Sequence, residues 1–159
     1  MADITTAQVW ADIEKQIFAI MGMVTPNNEA RTVGIVYQVH DGKIFIASQK
    51  DTWKVRHVAK NQNVSLTIPI HKGIPLMPWI KIPSATITFS GLAEVLEPAA
   101  VSEDIIQSLF RGLEVTPDTS SPFAVIKVTP VGSFLTYGVG VSLMTMRDTE
   151  KARGRVAVV

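Results

Sequence analysis

Hydrophobic and polar residues alternate along much of the chain with the two-residue period of a half-buried strand. The clearest case is NVSLTIPI, residues 63–70, where every second side chain is apolar. The segment SATITFSGLAEV, residues 84–95, repeats this pattern, so both segments predict strands with one buried face. The predicted inward positions are Val64, Leu66, Ile68, Ile70, Ala85, Ile87, Phe89, Gly91, Ala93 and Val95.

Three further strands are predicted earlier in the chain, between two turn signals. They are the apolar run IFAIMGMVT (17–25), the branched segment RTVGIVYQV (31–39) and KIFIAS (43–48). The first turn is Pro26–Glu29, and the second, His40–Lys43, contains the tight-turn dipeptide Asp-Gly. Three strands joined by two short turns predict an antiparallel meander.

Three short helices interrupt the strands. The patterns place them over residues 7–16, over residues 53–60, and from residue 98 through EDIIQSLFRGL, which ends at residue 113. Each one follows or contains a residue typical of helix starts. These residues are Thr5 and Thr6 for the first helix, Asp51 or Thr52 for the second, and Pro98 for the third.

The second half of the chain adds two strands and two irregular segments. PFAVIKVTP and GSFLTYGVG read as separate strands divided at Pro130-Val131. The Pro-rich excursion 71–83 is irregular, apolar and poor in charge, which favours a lid or a partner contact. The tail from residue 144 is basic and has no clear period. At least six strands with few helices predict a mainly β, antiparallel barrel with short covering helices, in a single domain over residues 1–159.

Composition narrows the class of protein. Of 159 residues, 47% are hydrophobic and only 18% are charged, against about 25% in typical domains. We therefore expect apolar surface to be hidden in a subunit interface. The net charge of +1 argues against a nucleic-acid partner. The longest apolar run, residues 17–24, is well short of a bilayer span. Residues 1–16 are unlike a secretion signal, so we expect a cytoplasmic protein with no membrane partner.

The sequence contains no recognisable set of catalytic side chains. It has no cysteine, and no G-x-S-x-G, P-loop or G-x-G-x-x-G pattern. His40, His57 and His71 lack the helical spacing of metal ligands, so no metal site is predicted, although axial haem ligation by one of them stays open. Because the acids fall in predicted turns and on helix surfaces, no catalytic residue is assigned. If the protein is an enzyme, these absences favour a bound cofactor that carries the chemistry.

The charges are segregated along the chain. No Asp or Glu occurs from Thr52 to Ala93, a stretch with five cations. Lys54 and Arg56 fall in the first turn of the predicted helix 53–60, where the helix dipole is already positive. An anionic ligand, most simply a phosphate, would relieve this repulsion. The alternative is that Asp51 neutralises Lys54 and that the other cations form a solvated face.

The neighbouring strand end offers further donors to such an anion. The hydroxyls of Ser48 and Thr52 and the side-chain amide of Gln49 lie within six residues of Lys54. Taken together, the strand order, the T-W-K helix start and the N-x-N-V-S-L strand resemble the pyridoxamine 5′-phosphate oxidase-like superfamily of FMN-binding split barrels. The resemblance spans roughly residues 17–95.

This resemblance implies a split β-barrel homodimer with FMN at the subunit interface. It assigns the flavin phosphate to Lys54, with Thr52 and Trp53 before it and with Ser48 and Gln49 at the preceding strand end. It also implies that a strand runs along the isoalloxazine ring and the ribityl chain. The residues that match this strand are Arg31, Thr32 and Val33.

The chain also departs from the family pattern. Gln62 follows Asn61 where the family often has proline, and Trp53 occupies a position that is often basic. The leading hypothesis is an FMN-dependent oxidoreductase with an unknown small-molecule substrate. The alternatives are a deazaflavin-dependent reductase and a non-catalytic flavin- or haem-binding protein on the same fold. The basic tail, with Arg147, Arg153 and Arg155, either reaches the partner's site or forms a disordered end.

Overall fold

The computed structural model describes residues 2–110 and 121–159. The predicted end of the third helix, residues 111–113, lies outside the described residues. The strands are β1 (Phe18–Val24), β2 (Ala30–Val36), β3 (Gln38–His40), β4 (Lys43–Gln49), β5 (Asn63–Ile70), β6 (Ala85–Leu96), β7 (Phe123–Tyr137) and β8 (Arg153–Ala157). The α-helices are α1 (Thr6–Glu14), α2 (Trp53–Lys60), α3 (Glu103–Phe110) and α4 (Thr149–Ala152), with single 3-10 turns at Pro98–Ala100 and Thr145–Arg147.

The strands form one antiparallel sheet whose two ends are joined by a single residue. The strand order is β2-β1-β5-β6-β7-β4-β3, and β8 adds to β7. The first strand of this order, β2, and the last, β3, are consecutive in the chain, with only Tyr37 between them. The sheet must therefore curl until its edges meet. The described residues of β2 and β4 are not hydrogen-bonded to each other as paired strands, so the barrel is split between them. The predicted mainly β split barrel is confirmed.

The two antiparallel pairings of the predicted meander are observed, but Tyr37 divides its middle strand into β2 and β3. The side chain of Tyr37 is buried, its hydroxyl donates to the Ile13 carbonyl at 2.7 Å, and its N–H donates to the Ile17 carbonyl at 3.0 Å. These bonds tie Tyr37 to the end of α1 and interrupt the segment 31–39. The part before it pairs with β1 and the part after it pairs with β4, at opposite ends of the sheet order.

The two tight turns are confirmed. Asn28 in the first turn has φ +61°, and in the second Asp41 has φ +47° and Gly42 has φ +66°. Left-handed backbone of this kind is the conformation for which Asn, Asp and Gly are selected in hairpin turns. The turns of this region and the two antiparallel pairings across them were therefore readable from the sequence, whereas the division of the middle strand at Tyr37 was not.

The prediction of two strands around Pro130 was wrong. One strand of 15 residues, β7, runs through this position. The pairing with β6 shifts register between Thr88 and Ser90, which face Leu135 and Val131 respectively, so β7 contains a bulge. Gly132 has φ +76° within it. The bulge accommodates the left-handed glycine without ending the strand, and Pro130 stays in register with Gly91 next to it.

The predicted inward positions of β5 and β6 face the core. All are buried except Ile70 and Val95, which are half-buried. Helix α1 begins with a capping box between Thr5 and Gln8, and the buried side chains of this helix are Val9 and Ile13. Residues 144–159, which have no clear sequence period, form a 3-10 turn, α4 and β8. Among the described residues, no helix has both the length and the apolarity needed to cross a bilayer.

Candidate functional site at the barrel split

A cavity of about 290 Å³ lies at the split, where β2 and β4 do not pair. Backbone from the end of β2, apolar side chains of β4 and one residue each from α2 and α3 form its wall. Lys54 contributes the cationic group of this lining. The other lining residues used below are Gly34, Val36, Gln38, Ile46 and Leu109.

Lys54 lies in the first turn of α2, at a helix start without a side-chain cap. Thr52 is the N-cap residue, but its hydroxyl donates to the Gln49 carbonyl at 2.9 Å and lies 3.0 Å from Ser48 Oγ. Among the described residues, no side chain accepts from the first N–H groups of α2. These N–H groups are therefore available to an anion, together with the positive end of the helix dipole.

The positive charge of α2 is not neutralised by neighbouring acids. Lys54, Arg56 and Lys60 have no ion pair with any residue in the ranges 2–110 and 121–159. Asp51 neither caps the helix nor pairs with Lys54 within those ranges. Because Lys54 is half-buried beside an apolar wall, its charge is less screened than that of a fully exposed lysine. The local arrangement favours a bound anion.

The missing side chain of Gly34, a residue of the cavity lining, leaves room for the ring of Phe18 on the outer face. A Cβ atom on Gly34 would lie 2.9 Å from Cε2 and 3.2 Å from Cζ of Phe18, which is closer than side chains tolerate. The aromatic ring of Phe18 therefore covers the backbone of Gly34. A glycine inside a strand typically marks such a close approach.

The outer surface beside the cavity is apolar around Phe18 and Ile20, and its far end at Leu135 lies opposite the cation Arg155 of β8. Phe18 pairs with Val36, and Ile20 pairs with both Gly34 and Thr67, so these residues lie on one face. On that face Phe18 is 44% exposed, Ile20 40% and Val36 57%. The face continues across β5 and β6 through hydroxyl residues to Leu135 of β7, which is 50% exposed.

The strand residues assigned to the cofactor by resemblance lie just before the cavity. Arg31 and Thr32 are exposed and line a separate depression of about 310 Å³, next to Gly22. Arg31 pairs with Glu29 at 3.4 Å. Val33 is half-buried and packs against the core. The next residue along β2, Gly34, is the first to line the cavity with Lys54.

The helix-start residues assigned to the cofactor divide into two groups. Ser48 and Thr52 lie together through their hydroxyl contact, and Ser48 is buried. Gln49 and Trp53 are exposed. None of these four residues is part of the cavity lining, to which the predicted helix start contributes Lys54. The indole of Trp53 instead lies 5.6 Å from the ring of His57, at an interplanar angle of 57°.

The cavity lining offers little acid–base chemistry. Burial raises the pKa of the Tyr37 phenol, whose hydroxyl already donates to the Ile13 carbonyl. None of the three histidines is in this lining, and no carboxylate is. In the part of the chain that the structure describes, no group of three or more His, Asp or Glu residues is placed to hold a metal ion.

Several lining residues were not identified from the sequence. Val36, Gln38 and Ile46 look like ordinary strand positions, and Leu109 is on a helix far along the chain. Gly34 carried a readable signal, because it is a lone glycine between branched residues in T-V-G-I-V. The other lining residues are brought to the cavity only by the closure of the barrel, which the sequence pattern does not show.

The chain resembles known proteins both in sequence and in fold. A sequence model described as pyridoxamine 5′-phosphate oxidase matches residues 5–137. The chain therefore belongs to the pyridoxamine 5′-phosphate oxidase family. It matches none of the curated proteins with which it was compared.

Solved structures share the fold at low sequence identity. A heme binding protein from Mycobacterium smegmatis is 15% identical with a TM-score of 0.65, and the match covers 99% of this chain and 60% of that one. An FAD binding protein from Mycobacterium smegmatis is 12% identical with a TM-score of 0.56, over 80% and 90% of the two chains. An F420 reductase is 14% identical with a TM-score of 0.56, over 84% and 98%.

Proposed function

We propose that this protein binds FMN at the barrel split and works as a homodimeric oxidoreductase on a small-molecule substrate. The observation that carries this proposal is the position of Lys54. It is a half-buried cation without an ion partner among the described residues, beside an uncapped helix start and a cavity lined by both polar groups and apolar side chains. A phosphate attached to a planar ring system with polar edges matches both parts of this site.

The residues present fit such a cofactor. Lys54 and the first N–H groups of α2 would hold the phosphate, and the hydroxyls of Ser48 and Thr52 lie next to them. The remaining lining is mainly backbone and apolar side chains, which suits a planar ring. Arg31, Thr32 and Val33 come just before this lining on β2. In the proposal they lie along the part of the cofactor that extends out of the cavity.

The cavity volume supports a second subunit. At about 290 Å³ it lies at the lower end of the range for ligand pockets, which is about 300 to 1,000 Å³. A cofactor with both a phosphate and a three-ring system would extend beyond it. The exposed apolar face around Phe18, Ile20 and Val36 is adjacent, and a second copy of the chain would cover both this face and the protruding ring.

The chain's own contribution to chemistry would be binding and exclusion of water. A bound flavin would supply electron or hydride transfer. Because the described cavity lining contains no carboxylate or histidine, the substrate would have to bring its own acidic or basic group. The same observation favours a second candidate function, a non-catalytic flavin carrier, since neither role needs an acid–base pair from the protein.

An absorption spectrum of the purified protein, followed by FMN titration, tests the proposal. We expect either a yellow protein with a flavin spectrum or quenching of flavin fluorescence on addition of FMN. Mass spectrometry of the released cofactor separates FMN from a deazaflavin and from haem. Absence of binding to any flavin would contradict the proposal. Turnover with a reduced nicotinamide as electron donor separates the oxidoreductase from the carrier.

A further inference from the structure

The segment between β5 and β6 forms a second cavity that is open to solvent and that the proposed FMN site does not use. Its volume is about 640 Å³, against about 290 Å³ for the cavity beside Lys54. The wall comes entirely from residues 71–82 of the Pro-rich excursion. The lining residues that matter here are Ile74, Ile80, Ile82, Lys72 and Lys81.

This segment is shaped by two successive turns of the same design. The Met77 N–H donates to the Ile74 carbonyl at 3.0 Å, and the Ile80 N–H donates to the Met77 carbonyl at 3.1 Å. Pro75 and Pro78 occupy the second position of each turn, where their fixed φ is favourable. The cavity wall is therefore organised before any ligand arrives, which lowers the entropic cost of binding.

The wall combines an apolar surface with positive charge. Lys72 is half-buried, and its Nζ donates to the Val141 carbonyl at 3.2 Å, which ties the segment to the chain after β7. Lys81 is exposed and has no ion pair with any described residue. No carboxylate is in the lining. Two lysines next to isoleucines thus lack a negative partner.

We propose that this cavity binds a small carboxylate with an apolar body. The carboxylate complements Lys81 and Lys72 through charge-assisted hydrogen bonds, and the apolar body covers Ile74, Ile80 and Ile82. The cavity volume falls within the range for small-molecule sites, about 300 to 1,000 Å³. A neutral ligand would leave the lysines unpaired, and a cationic one would be repelled.

The outermost side chains of the segment do not belong to this site. Leu76 is 86% exposed and Trp79 is 74% exposed, and neither lines the cavity. They form an apolar outer surface that could also bind to a lipid membrane. The cavity differs from this surface because it is concave and cationic, so a free small molecule and a lipid bilayer can be distinguished by experiment.

Calorimetric titration of the full chain with three ligands of equal chain length tests the proposal. The ligands are decanoate, decanol and decylamine, each below its aggregation concentration. We expect decanoate to bind most tightly. We expect Lys81→Gln to weaken decanoate binding by about tenfold, the effect of losing one charge-assisted bond, and to leave decanol binding unchanged. Lys60→Gln removes the same charge from α2 and should change neither affinity.

Three results would overturn the proposal. They are equal binding of decanoate and decanol, decanoate binding that is insensitive to Lys81→Gln, and binding to anionic lipid vesicles without binding of free decanoate. Circular dichroism of the Lys81→Gln protein verifies that it folds. Because the titration needs no cofactor, it is repeated with and without FMN. Its outcome is therefore independent of the proposed flavin function.

Discussion

The ring of Phe18 lies over Gly34, a residue that also lines the cavity beside Lys54. The two residues belong to adjacent strands, since Gly34 pairs with Ile20 and Phe18 pairs with Val36. A Cβ on Gly34 would be only 2.9 Å from Cε2 of Phe18. Phe18 is 44% exposed, so its ring has room to move away, but only by changing the surface of the proposed site.

Gly34→Ala is therefore expected to disturb binding more than folding. Displacement of an exposed ring should change the free energy of unfolding by less than about 1 kcal/mol. FMN affinity, measured by flavin fluorescence, should fall because the displaced ring changes the apolar face next to Gly34, which the proposed second subunit would cover together with the cofactor. The double variant Gly34→Ala/Phe18→Ala removes the clash and should recover part of that affinity. A large loss of stability together with unchanged FMN affinity would contradict this assignment.

Lys54→Ala is expected to weaken FMN binding by about 1.5 to 3 kcal/mol, the usual contribution of a charged hydrogen-bond partner. The physical reason is the loss of the half-buried cation beside the uncapped start of α2. The fluorescence titration should be performed at two salt concentrations, because the interaction lost with Lys54 is partly electrostatic and is weakened by salt.

Lys60→Ala is the matched control for Lys54→Ala. Lys60 is in the last turn of the same helix and is exposed. Its removal changes the net charge equally but should leave FMN affinity almost unchanged. Equal effects of the two variants would indicate general electrostatic attraction rather than a phosphate site at Lys54.

The helix and strand bounds that were predicted well depend on local pattern. For α2 and β5, predicted and observed bounds agree because the period of each segment and the residues that flank it are local in sequence. The closure of the barrel at Tyr37 depends instead on partners distant in sequence. The hydrogen bond of Tyr37 to the Ile13 carbonyl and the strand order determine this closure, and neither can be predicted from local residue propensities.

The candidate site divides in the same way. Lys54 was recognisable because a cation at a helix start is locally unfavourable, and such a conflict points to a ligand. Leu109 and Ile46 carry no such conflict, since leucine and isoleucine suit their own helix and strand. Their position in the cavity lining follows from the packing of α3 and β4, which the pattern alone does not determine.

Tyr37 is expected to make the protein less stable at alkaline pH. Burial raises the pKa of its phenol above the ordinary value of about 10. The folded state therefore holds the proton more strongly than the unfolded state. This stabilising contribution is complete below about pH 10 and declines above it by about 1.4 kcal/mol per pH unit.

Tyr37→Phe tests that contribution by urea unfolding at pH 7 to 11. At pH 7 the variant should lose about 0.5 to 1.5 kcal/mol, for the hydrogen bond to the Ile13 carbonyl. Its further decline above pH 10 should be less steep than that of the wild type. Tyr137→Phe, which removes a hydroxyl bonded to the Met146 carbonyl at 2.8 Å, is the control for loss of a tyrosine. Parallel pH profiles for wild type and Tyr37→Phe would contradict the prediction.

Ile20→Lys is expected to convert the proposed homodimer into a monomer. Ile20 is 40% exposed on the apolar face beside Gly34, so a lysine there is easily solvated in the monomer. In an isologous interface the substitution places two like charges near the symmetry axis or buries each without a partner. Light scattering coupled to size-exclusion chromatography should show a dimer for the wild type and half that mass for the variant. Gln107→Lys, on the exposed side of α3, should remain dimeric.

The same two variants test whether the second subunit completes the proposed ring site. FMN affinity should fall together with dimer content in Ile20→Lys and stay unchanged in Gln107→Lys. A monomeric wild type that still binds FMN tightly would show that the split of a single barrel is sufficient for FMN binding.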